Sequence, residues 1–124
     1  MFTRLVRNAV APVAVLILTP IALTGTGGAD DCTDAPEVGA GSYAGWTSGA
    51  NSDGAACSLS ADSPDVWFRF TAGSDGTLTA ATCGSAFDTV LSLHTSCPGT
   101  PENAMECNDD ACGFQSQVLS LIHI

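Results

Sequence analysis

All six cysteines of this chain, Cys32, Cys57, Cys83, Cys97, Cys107 and Cys112, lie downstream of an N-terminal segment built like an export leader. That combination constrains the fold more than any other feature. Arg4 and Arg7 give a short positive start, residues 9–23 are apolar apart from Thr19 and are broken by Pro12 and Pro20, and residues 24–29 are small. A membrane-spanning helix needs roughly 20 apolar residues, more than this proline-broken run supplies. The expected organisation is a signal peptide at 1–29, cleaved after Ala29. A lipid anchor is disfavoured by Asp30 and Asp31 in front of Cys32. In an oxidising destination an even number of cysteines reads as disulfides. Six cysteines permit many pairings; a Cys97–Cys107 bridge, closing a short loop, is the one favoured here, and is worth about 3 kcal/mol. Zinc held by Cys107, Cys112 and His94 is the competing reading, and it lacks the tight CxxC pairs of zinc modules.

Charge narrows the partners. The chain has 13 acidic residues, three arginines and no lysine, for a net charge of −10. Removal of the leader leaves Arg69 against all 13 carboxylates, a net −12. Nucleic acid and anionic membrane surfaces both require basic patches, and are excluded as partners on that ground. An extracellular protein or polysaccharide remains as the partner class.

The downstream chain has strand periodicity. In residues 65–71, Val66, Phe68 and Phe70 share one face and Trp67 and Arg69 the other. Asp75-Gly76 supplies a turn able to adopt positive φ, and residues 77–83 return, so a hairpin is expected. Residues 87–95 form a third run, with Phe87, Thr89, Leu91 and Leu93 on one face and Asp88, Val90, Ser92 and His94 on the other. Residues 104–107 and the segment from Gln115 onward read as further strands, and residues 39–54 as an irregular or edge strand anchored by Tyr43 and Trp46. No stretch carries helical periodicity with caps. The fold class is all-β.

A resemblance follows from the order of several pieces: Asp30-Asp31-Cys32 with Ala35, DVWFRFTA at 65–72, Gly76-Thr77-Leu78, TCG at 82–84, FDTVLSLH at 87–94 and CNDDACGFQSQV at 107–118. This succession resembles a cysteine-containing relative of the bacterial pre-peptidase C-terminal (PPC) domain. The resemblance implies a secreted, jelly-roll-like β-sandwich at 30–118, used as an accessory module of longer exported proteins. Family members continue with a glycine turn and two further strands, so it also implies a sandwich lacking its last two strands. Residues 119–124 depart from the family pattern. They are also what the codons CTG TCT CTT ATA CAC ATC encode, a string resembling the transposon-end adapter of a sequencing-library kit, and a non-native tail is expected there. The alternative is an ordinary apolar strand.

Catalysis is not expected. The credible secreted part has one histidine, His94, read as solvent-facing or at a sheet edge, and no nucleophile-elbow or oxyanion motif accompanies it. Calcium is the expected ion, since hard cations take six to eight oxygen ligands and the domain is rich in carboxylates. One candidate group is Asp30, Asp31 and Asp34 with Asp62 and Asp65, which in calcium-binding relatives joins the N-terminal segment to a loop in that region. The other is Asn108, Asp109 and Asp110, residue types that also serve as ordinary turn formers. Trp46, Trp67, Tyr43 and the phenylalanines offer either a binding platform or a core, and Trp67 is the aromatic whose face the sequence leaves open. The expected function is a non-catalytic extracellular module for adhesion, substrate targeting or spacing at the N-terminus of a longer exported protein. The alternative is an accessory domain of a secreted hydrolase such as a peptidase.

Overall fold

The computed structural model describes residues 27–57 and 62–123 in full, together with the backbone of 2–6 and 13–17. Most of the expected leader's apolar run therefore lies outside the described residues, as does Ile124. Among the described residues eight strands carry the fold: β1 (Phe2–Val6), β2 (Val13–Ile17), β3 (Gly41–Gly45), β4 (Asp65–Arg69), β5 (Gly76–Ala81), β6 (Val90–His94), β7 (Ala104–Asn108) and β8 (Gln117–Ile122). Two single 3-10 turns, Cys32–Asp34 and Pro101–Asn103, are the helical elements among the described residues. The protein is a small all-β domain.

The strands form a four-stranded antiparallel sheet in the order β4-β1-β6-β7 and two antiparallel pairs, β2-β3 and β5-β8. Val66 and Phe68 of β4 and Leu91 and Leu93 of β6 share one core with Tyr43 of β3, Leu78 and Ala80 of β5, and Val118 and Ile122 of β8. The alternation predicted for residues 65–71 and 87–95 is what places these side chains together. At about 25 cal/mol per Å² of apolar surface, such burial is the main force holding the strand pairs against the sheet.

The expected hairpin between residues 65–71 and 77–83 does not form. β4 has both edges occupied: β1 pairs along one side, and the segment before β3 lies along the other. There Trp67 and Ala29 exchange backbone hydrogen bonds of 2.8 and 3.1 Å, and Val38 N–H donates to the Arg69 carbonyl at 2.8 Å. This second contact covers an edge that would otherwise be open. With no free edge on β4, the chain leaves its sheet after Arg69, and β5 pairs with β8. Gly76 opens β5 and is not among the positive-φ glycines, which are Gly49, Gly84 and Gly113.

The disulfides also differ from the expected short loop. Cys32 pairs with Cys97, Cys57 with Cys107 and Cys83 with Cys112, each with Cα atoms 5.8–5.9 Å apart. Cys97 lies against Trp67 beside Cys32, which draws it away from Cys107 at the far end of β7. All six cysteines are oxidised, so none is a thiolate available to zinc. Three disulfides fit an oxidising compartment. Among the described residues no helix is long and apolar enough to cross a membrane.

Candidate functional site

Among the described residues, the loop between β7 and β8 holds the acidic group suited to a metal ion. Its base is a buried hydroxyl network. Thr82, Thr89 and Ser116 are fully buried. Thr82 Oγ1 accepts from Ser116 N–H at 3.0 Å and bonds the Thr89 hydroxyl, while the Ser116 hydroxyl lies between the carbonyls of Thr89 and Asp109, which share its single O–H donor. The Cys83–Cys112 disulfide ties the loop to the end of β5, and Gln115 Nε2 donates to the Ser85 carbonyl at 3.2 Å. Gly84 and Gly113, at φ of 90° and 87°, supply the left-handed positions these turns require.

This scaffold brings Asp88, Asp109 and Asp110 together. One ligand atom from each lies within 4.8 Å of the others, the one such acidic group among the described residues. Asp88 and Asp109 are partly buried and Asp110 is exposed. Three carboxylates in that space form a donor set suited to a hard cation. Asn108 plays another part: its Oδ1 accepts from Ala111 N–H at 2.9 Å and Gln117 N–H at 3.1 Å, so it shapes the turn. Asp88 was missing from the sequence-derived set because it lies 21 residues upstream, on the approach to β6; only the pairing of β6 with β7 brings it beside Asp109.

The N-terminal group is arranged differently. Asp30 grips Asn51, accepting from its backbone N–H at 2.7 Å and its amide at 3.2 Å. Asp65 is buried at the start of β4 and accepts from Gly54 N–H at 3.3 Å. Asp34 and Asp62 are exposed. The acid that joins Asp30 and Asp31 is Asp53, whose Oδ1 accepts from Trp67 Nε1 at 2.8 Å. Desolvation first, then the charges of Asp30 and Asp53, push the Asp31 pKa above the ordinary aspartate range.

His94 corrects the expectation of a solvent-facing side chain. It is 1% exposed, packs against Trp67 with ring centroids 5.5 Å apart and the rings tilted by 54°, and bonds Asn103 Oδ1 at 2.9 Å and Ser92 Oγ at 3.1 Å. Asn103 Nδ2 donates to the Pro98 carbonyl at 2.7 Å, which orients its Oδ1 as the acceptor for His94 Nδ1–H and leaves Nε2 to accept from Ser92. The order Ser–His–Asn has the connectivity of a nucleophile, a base and an orienting group. Ser92, however, is 2% exposed. The sequence reading missed this network because Asn103 reaches His94 only through the bulge in the β6–β7 pairing.

Of the aromatic residues, Tyr43, Trp67 and Phe68 are buried, whereas Trp46 and Phe114 are 51% and 72% exposed. Trp67 is covered by Cys32, Ala35 and Cys97. No family model, no curated protein and no solved structure matches this chain.

Proposed function

We propose that the chain is a non-catalytic extracellular module, a jelly-roll-like β-sandwich of PPC type at residues 30–118. In this reading it belongs to the N-terminal part of a longer exported protein and contributes adhesion, substrate targeting or spacing. The observation that carries the reading is the oxidation of all six cysteines into three bridges stapled around one β core. The burial of Ser92 and His94 supports a non-catalytic role, because a substrate must reach a nucleophile for acyl transfer. Exposed Trp46 and Phe114 support an extracellular protein or polysaccharide as partner, since exposed aromatics are favoured contact residues.

Calcium belongs to the same proposal, held by Asp88, Asp109 and Asp110 in the loop between β7 and β8. Its support is the convergence of three carboxylates in a loop fixed by a disulfide.

The test is adsorption of the secreted chain to insoluble peptidoglycan, chitin and denatured collagen, with fluorogenic peptide and ester hydrolysis assayed in parallel. Retention on one surface, lowered by Trp46→Ala or Phe114→Ala, with no turnover, is the expected result. Hydrolysis abolished by His94→Ala would contradict the proposal.

A further inference from the structure

The three disulfides differ in how their two ends meet solvent. Thiol–disulfide exchange makes two demands: the attacked sulfur must be reachable, and the departing thiolate must be stabilised where it forms. In the Cys32–Cys97 bridge, Cys32 is 4% exposed and packed with Ala35 and Trp67. In the Cys57–Cys107 bridge, Cys107 is exposed, but Cys57 is 4% exposed and its Sγ lies 3.7 Å from the Leu91 carbonyl oxygen. Attack on the outer sulfur of either bridge therefore expels a thiolate into the protein interior, where burial disfavours the charged form. Cys83 and Cys112 are both partly exposed. Whichever of them is attacked, the other leaves toward water.

The fold beside this bridge is held by other bonds. Thr82 N–H donates to the Ser116 carbonyl at 2.8 Å, and Ser116 N–H donates to Thr82 Oγ1 at 3.0 Å. β5 and β8 pair from Ala81 opposite Gln117 to Gly76 opposite Ile122. These bonds keep the roots of the two cysteine-bearing loops together with the disulfide open. The tip beyond them carries the exposed residues Asp110 and Phe114. Besides the disulfide, it is tied down by Thr89 N–H on the Phe114 carbonyl at 2.9 Å and by Gln115 Nε2 on the Ser85 carbonyl at 3.2 Å.

We propose that Cys83–Cys112 is a site of reversible thiol–disulfide exchange with a dithiol, whose opening frees the tip of the β7–β8 loop and leaves the other two bridges and the core intact. A thiolate of the reagent attacks one sulfur, forming a mixed disulfide and releasing the other cysteine as a thiolate. The reagent's second thiolate then attacks its own sulfur in the mixed disulfide and releases the remaining cysteine. The dithiol is oxidised by two electrons to its disulfide, the bridge is reduced by two, and the reagent's two S–H protons end on Cys83 and Cys112. A net charge of −10 disfavours approach of an acidic reagent, so the fitting class is a dithiol without carboxylates. The inference rests on the burial of the cysteines and is independent of calcium and of the surface the module binds.

The test exposes the native 1–124 chain to dithiothreitol at mildly alkaline pH, stops the reaction at intervals by alkylation, and maps the labelled cysteines by peptide mass spectrometry. Amide hydrogen exchange is measured on the partly reduced protein. Cys83 and Cys112 are expected to be labelled at least about 10-fold faster than the cysteines of either other bridge. The partly reduced protein is expected to keep Cys32–Cys97, Cys57–Cys107 and the slow exchange of β4 and β6, with faster exchange confined to residues 83–88 and 109–115. Removal of the dithiol and addition of bis(2-hydroxyethyl) disulfide is expected to restore the Cys83–Cys112 bridge. Earlier or simultaneous opening of a second bridge, resistance of all three until the protein unfolds, or loss of β4 and β6 protection when Cys83–Cys112 opens would each overturn the proposal.

Discussion

Trp67 shows how one residue organises its surroundings. The indole is fully buried on the face of β4 opposite the main core, under Cys32, Ala35 and Cys97, with its Nε1–H satisfied by Asp53. Gly99 passes so close that a Cβ there would meet the indole at 2.3 Å. Gly99→Ala is therefore expected to destabilise the fold by about 1–3 kcal/mol, the range for overpacking a filled core, as read from denaturant unfolding. Two exposed acids answer to pH in opposite directions. Glu37 accepts from Thr71 and from Arg69 Nε, the latter at 2.6 Å, and these bonds hold its pKa below the ordinary glutamate value. Its contribution is present above about pH 4.3 and is lost as pH falls through the lowered value. Asp31 has a raised pKa, so its contribution is full below about pH 3.9 and lost as pH rises through the raised value. Melting curves across pH 2–7 are expected to show Glu37→Gln flattening the acid-side fall in stability, and Asp31→Asn raising the melting temperature at pH 7 relative to the parent.

At the scale of elements, the strands between residues 65 and 122 were legible in the sequence, whereas β1 and β2, which fall in the expected leader, and the strand partnerships were not. Alternation at 65–71 and 87–95 identified β4 and β6 and the residues of the main core, because a period of two is written locally, but not that the opposite faces, with Trp67, Val90, Ser92 and His94, are buried as well. The hairpin expectation failed because the edge of β4 is occupied by residues more than 25 positions away, which no turn signal reports. The same limit governs the candidate site. Asp109 and Asp110 were legible from their turn, but Asp88 joins them only through tertiary pairing. For this loop, millimolar calcium is expected to raise the melting temperature of the parent protein and to leave an Asp109→Asn/Asp110→Asn variant unmoved. The variant is also expected to be the more stable of the two without calcium, since close like charges repel. An equal response of both proteins would remove the loop from the calcium proposal.

The whole molecule is a small all-β domain whose three bridges join positions 29 to 65 residues apart. Chain-entropy arguments give about 4 kcal/mol for closing a loop of this length, a large share of the 5–15 kcal/mol by which domains are stable. The composition predicted disulfides; the connectivity required the fold, because each bridge joins segments that only sheet formation brings together. The most direct measurement is disulfide mapping of the folded protein by non-reducing peptide mass spectrometry. Cys32–Cys97, Cys57–Cys107 and Cys83–Cys112 cross-linked peptides are the expected result, and a Cys97–Cys107 peptide or free thiols in the folded protein would contradict the architecture described.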